Sequence, residues 1–123
     1  MSKSIFKSTW FYVAILVVAA IIYFTIPKVG NGEYDTFATC LSEKGLIMYG
    51  TEWCPHCKTQ KALFGSSFDS VNYVDCDLNS QECQIQGITG YPTWKFEGKS
   101  YSGVQSLEKL AALTGCEFTK DTV

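Results

Sequence analysis

The sequence predicts a small α/β domain, with a mixed four-stranded sheet flanked by helices, behind one N-terminal apolar helix. Two observations predict this architecture. From residue 34 onward, helix-forming segments alternate with short apolar or β-branched runs in the order α-β-α-β-α-β-β-α. Ahead of them, residues 8–27 form a stretch without a charged side chain. The 123 residues of the chain suffice for one domain and not for two.

The predicted helices of the domain contain good helix formers or spaced apolar residues, and a glycine follows the last residue of each. They cover residues 34–44, 54–64, 80–86 and 106–114. The predicted strands cover residues 46–49, 71–74, 93–96 and 100–102. A turn at residues 97–99 joins the last two strands into a hairpin. A β-α-β unit followed by a hairpin and a helix gives a mixed sheet covered by helices.

The apolar stretch near the N-terminus has the length of a membrane span. Twenty helical residues cover about 30 Å, the thickness of a bilayer's hydrocarbon core. Lys3 and Lys7 precede the stretch and only Lys28 follows closely, so the positive-inside rule places the N-terminus in the cytoplasm. The competing interpretation is a signal peptide cleaved after Ala20. Both interpretations place the domain outside the cytoplasm.

Charge also separates the two parts of the chain. We predict five segments: a cytoplasmic N-terminus (1–9), a transmembrane anchor (10–27), a linker (28–33), a folded domain (34–118) and a tail (119–123). Residues 33–123 carry seven lysines against twelve acidic residues, and the chain has no arginine. This balance argues against nucleic-acid binding, which uses a basic, arginine-bearing face.

Six cysteines in so short a chain indicate an oxidising compartment, a metal site or redox chemistry. Two belong to the motif Cys54-Pro55-His56-Cys57, where a predicted strand is followed by a helix. Cys54 would lie at the helix N-terminus, whose unpaired N–H groups and dipole stabilise a thiolate. Pro55 suits the first helical turn, and His56 can place a positive charge or a donor beside the sulfur. We predict that Cys54 reacts first and that Cys57 resolves the mixed disulfide.

Plainer interpretations of this motif are also open. A C-x-x-C pair can be half of a zinc site, although the chain has no second such pair and His56 is its only histidine. We expect no metal and no cofactor. A purely structural disulfide is disfavoured because closing so short a loop removes little unfolded-state entropy. The plain alternative for His56 is an exposed residue at a helix start.

A second motif, Gly90-Tyr91-Pro92-Thr93, stands at the start of the predicted hairpin. Pro92 is a candidate for a cis peptide bond. Such a bond would fold this loop against the C-x-x-C pair and expose the Tyr91 backbone to an extended substrate. The alternative is a proline at the edge of a sheet.

The order of these motifs resembles the thioredoxin superfamily over about residues 37–115. A strand comes first, then a helix that begins with Trp-Cys-x-x-Cys at 53–57, then Tyr-Pro-Thr at 91–93. The sequence is more specifically similar to the thioredoxin-like domains associated with bacterial vitamin K epoxide reductase homologues. That likeness rests on the stretches 48–50, 53–57, 73–76, 90–94 and 101–103.

The resemblance implies a minimal thioredoxin fold and a role for each motif residue. Cys54 would be the nucleophile, Cys57 the resolving thiol and Pro92 the cis-proline, with Trp53 and Tyr91 binding substrate. It also implies a membrane partner, similar to vitamin K epoxide reductase or to DsbB, that reoxidises the pair with quinone.

Four features distinguish this chain from, or relate it to, particular groups of the wider superfamily. Cytosolic thioredoxins that reduce proteins have a buried acid six residues before the first active cysteine, where this chain has Met48. The Cys-Pro-His-Cys sequence resembles that of the oxidising periplasmic DsbA proteins. The 34 residues between Cys57 and Pro92 leave no room for the helical insertion of those proteins. Residues 102–108 also lack the glycine–aspartate pair with which glutaredoxins bind glutathione. The motif therefore indicates an oxidising site on a minimal scaffold.

The other four cysteines allow three pairings. Cys76 and Cys83 flank a short polar loop, and we expect them to form a disulfide. A Cys40–Cys116 bridge would close a loop of about 75 residues and contribute roughly 4 kcal/mol by the chain-entropy model. The alternatives are buried thiols at 40 and 116 and a second redox pair at 76 and 83.

The predicted function is that of a membrane-anchored, extracytoplasmic thiol–disulfide oxidoreductase that oxidises the cysteines of substrate proteins. A monomer is expected, with one anchor helix. One alternative is a reductase or isomerase supplied with electrons by a transmembrane donor. Another is a copper-handling module in which Cys54, His56 and Cys57 bind the metal. A third is an interaction domain without catalysis.

Overall fold

A computed structural model describes residues 2–25 and 32–122. The α-helices are α1 Ser2–Thr25, α2 Asp35–Glu43, α3 Pro55–Phe64, α4 Ser80–Ile85 and α5 Leu107–Thr114. The strands are β1 Ile47–Gly50, β2 Tyr73–Asp75, β3 Thr93–Phe96 and β4 Lys99–Ser102. A 3₁₀ helix covers Gly65–Ser70.

The four strands form one sheet in the order β2-β1-β3-β4. β1 pairs with β2 in parallel, and the other two pairings are antiparallel. Glu97 and Gly98 both have positive φ angles, as a tight two-residue hairpin turn requires. The mixed four-stranded sheet flanked by helices is confirmed.

The 3₁₀ helix is the element that the sequence analysis did not predict. Gly65 ends α3 with a φ of 58°, but the chain continues into a 3₁₀ helix instead of entering a strand. The Val71 N–H then bonds to the Phe68 carbonyl, and β2 begins at Tyr73, two residues later than predicted. Phe68 packs edge-on against Phe64 and Tyr73, so an aromatic contact fixes the extra turn.

The core lies between the sheet and the helices around Trp94, which is fully buried. Disulfides join Cys40 to Cys116 and Cys76 to Cys83. The first connects α2 to Cys116, which lies two residues after the end of α5. The second connects the end of β2 to α4. Outside the loop that the first disulfide closes, the Asp121 N–H donates to the Glu33 carbonyl over 2.8 Å. The beginning and the end of the domain are therefore held together.

Helix α1 exposes every side chain that is described in it, from residue 9 to residue 25. Within 2–25 and 32–122, no helix combines the length and the apolar character needed to cross a membrane. The predicted anchor, 10–27, and linker, 28–33, both extend into residues 26–31, which lie outside the described residues. The anchor is therefore not shown.

Candidate active site

The C-x-x-C motif lies where β1 gives way to α3, as predicted. β1 ends at Gly50 and α3 begins at Pro55, with Cys54 as its N-cap residue. Cys54 has an extended backbone, and Pro55 takes the first helical position, where its missing N–H costs no helical bond. Cys54 and Cys57 are both free thiols in this structure.

The Cys54 sulfur accepts hydrogen bonds from the unpaired N–H groups at the start of the helix. Burial alone would raise the pKa of Cys54, but hydrogen bonds from the Cys57 N–H, the Cys57 thiol and the His56 N–H outweigh burial and lower it. The thiolate is therefore the favoured nucleophile. His56 is exposed, and it is the backbone of this residue that contacts the sulfur; a role for its imidazole stays a prediction.

Cys57 lies one turn further along the helix in a different environment. It is fully buried, and a Cβ placed on Gly50 would meet its sulfur at 2.8 Å. Burial raises the pKa of Cys57 to about 11, against the opposing effect of the Thr51 N–H. Cys57 therefore holds a proton at neutral pH.

The cis bond between Tyr91 and Pro92 is present. It places the Tyr91 carbonyl 3.8 Å from the Cys54 sulfur, within range of a bond from the thiol. Trp53 is 62% exposed; its indole N–H donates to Asp77 over 2.7 Å, and its ring meets Tyr91 edge-on. We call Trp53, Cys54 and Tyr91 the mouth of the site. Of its contacts, the bond to Asp77 was not predicted.

The residues around Cys57 include charged groups that the sequence analysis missed. Lys61 lies four residues beyond Cys57 on α3, and its Nζ contacts Glu52 Oε1 at 2.6 Å. The same Nζ lies 4.1 Å from the centre of the Tyr73 ring. We call Gly50, Cys57, Glu52, Lys61 and Tyr73 the floor of the site. The four-residue spacing from Cys57 to Lys61 was the available signal, since it places both on one helical face.

The floor contains no carboxylate at the position that cytosolic thioredoxins use. Met48 is fully buried there. Among the described residues, the buried side-chain oxygens without a hydrogen-bond partner are those of Thr51 and Tyr73. Proximity to Glu52 and Asp75 adds to the effect of burial in raising the pKa of Tyr73. Across residues 2–25 and 32–122, no group of three or more histidine, cysteine or acidic side chains is placed to hold a metal ion.

A sequence profile described as thioredoxin matches residues 26–114, more than half of the chain. The chain belongs to the thioredoxin family. Among solved structures, it is similar to thioredoxin NaTrxh from Nicotiana alata, with 22% identity and a TM-score of 0.45 over 61% of this chain and 80% of that one.

Curated relatives match about three fifths of the chain. The chain is 37% identical over 84 residues to thiol-disulfide oxidoreductase LTO1 from Arabidopsis thaliana, covering 61% of this chain and 22% of that protein. It is 30% identical over 94 residues to protein disulfide-isomerase from Aspergillus niger, covering 65% and 18%. The chain thus spans about a fifth of the length of these relatives. Family, relatives and C-x-x-C geometry support a thiol–disulfide oxidoreductase of the thioredoxin and disulfide-isomerase type.

Proposed function

We propose that this protein is an extracytoplasmic, membrane-anchored thiol–disulfide oxidoreductase that oxidises the thiols of substrate proteins. The observation that carries the proposal is that the pKa values of two thiols three residues apart are shifted in opposite directions. The helix start lowers the pKa of Cys54, and burial raises that of Cys57. Stabilising the Cys54 thiolate stabilises the reduced pair, and a pair whose reduced form is stabilised is the stronger oxidant.

The reaction begins with the pair as a disulfide. A substrate thiolate attacks the Cys54 sulfur, the Cys54–Cys57 bond breaks, and the Cys57 sulfur takes up a proton. A second substrate thiolate then attacks the substrate sulfur of the mixed disulfide and expels Cys54. Cys54 is a good leaving group because of its lowered pKa. The substrate loses two electrons and becomes a disulfide, and the protein gains them as a dithiol.

The mouth of the site suits a protein substrate. Tyr91 presents its backbone carbonyl beside the Cys54 sulfur, where an extended chain can bond to it. Trp53 offers an exposed ring next to Tyr91. Pro92, next to Tyr91, fixes the direction of this loop. These positions support the assignment of Trp53 and Tyr91 to substrate binding.

The reduction potential tests the direction of electron flow. The full chain is equilibrated in glutathione buffers, and the Cys54–Cys57 pair is measured by thiol alkylation and mass spectrometry. We expect about −120 to −180 mV, the range of oxidants and isomerases. A value near about −270 mV would indicate a reductant and overturn the oxidising direction. The Cys54→Ser/Cys57→Ser double variant gives the background from the two structural disulfides.

Membrane anchoring through residues 10–27 is a further part of the proposal. It is supported by the exposed apolar side chains of α1 and by the charge-free stretch of the sequence. We expect the full chain to stay with membranes after alkaline extraction. Val17→Asp with Ile21→Asp should release it, because each central charge costs a span about 2.5–3.5 kcal/mol. Val17→Leu with Ile21→Leu is the matched control, and its release, or that of the parent chain, contradicts anchoring.

We further propose that a quinone-linked membrane partner, similar to vitamin K epoxide reductase or DsbB, reoxidises the pair. The support is the sequence likeness to domains with such partners over the stretches 48–50, 53–57, 73–76, 90–94 and 101–103. In a Cys57→Ser variant, the Cys54 thiolate attacks a disulfide of the partner and forms a mixed disulfide that no resolving thiol can break. Affinity purification and mass spectrometry then identify the partner in this adduct. Recovery of a membrane reductant instead of a quinone-linked oxidant would contradict this assignment.

A further inference from the structure

One fully buried polar side chain lies close to the site without a role in the chemistry above. Gln60 is on α3, three residues after Cys57, and has no exposed surface. Its Nε2 donates to the Gln105 carbonyl over 2.9 Å. Its Oε1 accepts from the Trp94 indole over 3.0 Å and from the Gln105 N–H over 2.7 Å. Burying an amide is unfavourable unless such bonds compensate, so this position is specified closely.

The amide of Gln60 pairs with the backbone of a loop as a neighbouring strand would. It binds both the N–H and the carbonyl of Gln105, which fixes the position and the rotation of that residue. The Gln105 side chain in turn donates to the carbonyls of Ser102 and Gly103. The segment from Ser102 to Gln105, which we call the 102–105 loop, is therefore held from α3.

This loop is connected to the mouth of the site through its backbone. The Gly103 N–H donates to the Pro92 carbonyl over 2.8 Å. Pro92 follows Tyr91, whose carbonyl lies beside the Cys54 sulfur. A continuous series of hydrogen bonds thus leads from the helix that carries both thiols to the loop where a substrate chain would bind.

We propose that Gln60 is a positioning residue for substrate binding, which fixes the 102–105 loop and Pro92 relative to α3. Gln60 touches neither thiol in this role. It sets the distance between Cys54 and the backbone of Tyr91, and so the affinity for an extended protein substrate. Small thiols, which need only the sulfur, do not depend on it. The inference rests on the proposed function in taking Tyr91 as the substrate contact.

The alternative is that Gln60 serves only to stabilise the fold. A structural role predicts equal losses for every substrate, because the fraction of folded protein would be the only quantity to change. A positioning role predicts that KM for a peptide rises while kcat and the reaction with small thiols stay the same. The two roles are therefore separable in one set of kinetic measurements.

The experiment compares Gln60→Met with the parent chain, both oxidised, against a reduced two-cysteine peptide and against glutathione. We expect KM for the peptide to rise at least tenfold. We expect kcat and the rate with glutathione to change less than twofold. The reduction potential and the pH at which Cys54 becomes reactive should not change measurably. Gln84→Met, at an exposed position on α4, is the matched control and should leave every value unchanged.

A second variant keeps the test decisive if Gln60→Met does not fold. Gln105→Ala retains the bonds of Gln60 to the backbone of residue 105 and removes the two side-chain bonds to the loop. We expect it to raise KM for the peptide about threefold without changing the glutathione rate. Equal losses with both substrates, or an unchanged KM in the folded variants, would overturn the inference. Failure of the parent chain to oxidise the peptide would instead reject the proposed function.

Discussion

The mouth and the floor of the site are built in different ways. At the mouth, backbone groups determine the behaviour of Cys54: the N–H groups of the α3 start lower its pKa, and the Tyr91 carbonyl lies beside its sulfur. At the floor, side-chain packing surrounds Cys57, and burial raises its pKa. The same chemical group therefore takes two roles according to where the helix begins.

The comparison also shows why the two thiols are not interchangeable. A sulfur at the helix start combines access to a partner with stabilisation of its negative charge. A sulfur one turn later loses both, because Cys57 has no exposed surface and the free N–H groups of the helix start are directed at the Cys54 sulfur. The predictions that follow change the mouth or the floor separately, beginning with the largest effect.

The largest difference should separate Cys54→Ser from Cys57→Ser. Cys54→Ser removes the nucleophile, so we expect turnover to fall at least about a thousandfold, without any mixed disulfide. Cys57→Ser keeps the reactive thiolate and removes the thiol that resolves the mixed disulfide with the oxidising partner, so turnover falls while that mixed disulfide accumulates at Cys54. Non-reducing electrophoresis and mass spectrometry measure the adduct. An adduct of similar yield in both variants would contradict the division of roles.

A smaller effect should follow from filling the floor. In Gly50→Ala, the new methyl group would lie 2.8 Å from the Cys57 sulfur. Overpacking of this kind lowers the free energy of unfolding by about 1–3 kcal/mol, which denaturant titration measures. Gly90→Ala is the matched control because a Cβ there meets nothing within 4 Å. Equal stability of the two variants would show that the floor can expand.

The smallest effect concerns the ion pair of the floor. Lys61 lowers the pKa of Cys57, so Lys61→Met should raise that pKa by about half a unit, the size of a partly screened charge interaction. Glu52→Gln removes the partner of Lys61 and should lower the pKa by a similar amount. At any pH below about 11, the Cys57 thiolate is then scarcer in the first variant and more abundant in the second.

The pH dependence of Cys57 alkylation, in a Cys54→Ser background, measures these shifts. Lys109→Met, an exposed lysine on α5, is the control for the loss of one positive charge. Shifts of the same sign in Lys61→Met and Glu52→Gln would mean that packing and not charge governs the floor.

The mouth was largely predictable from sequence, and the floor was not. The mouth residues Trp53, Cys54 and Tyr91 lie in short motifs whose meaning depends on neighbours along the chain. The bond from Trp53 to Asp77 was missed because it joins residues 24 apart in the sequence. Gly50 directly follows the strand predicted over residues 46–49, but its contact with Cys57 depends on how α3 packs on the sheet.

Gln60 shows the same limit more clearly. Nothing local distinguishes it from an exposed glutamine on a helix, and its burial depends on Trp94 and Gln105, which are 34 and 45 residues away. The 3₁₀ helix over Gly65–Ser70 was missed for a similar reason, since it is held by hydrogen bonds to Ser67 from Tyr34 and to Ser70 from Ser42, which are 33 and 28 residues away. The order of helices and strands was predictable because each element carries its own pattern and a glycine follows each predicted helix of the domain.

The Cys40–Cys116 disulfide, which spans 76 positions, has a mechanical consequence. Both active thiols lie inside the covalent loop that it closes, while Glu33 and Asp121 lie outside it and are bonded to each other. A pull applied to the chain before Cys40 and after Cys116 passes through the sulfur–sulfur bond. The sheet and α3 carry none of that load, so the spacing of Cys54 and Cys57 is insulated from tension on the chain.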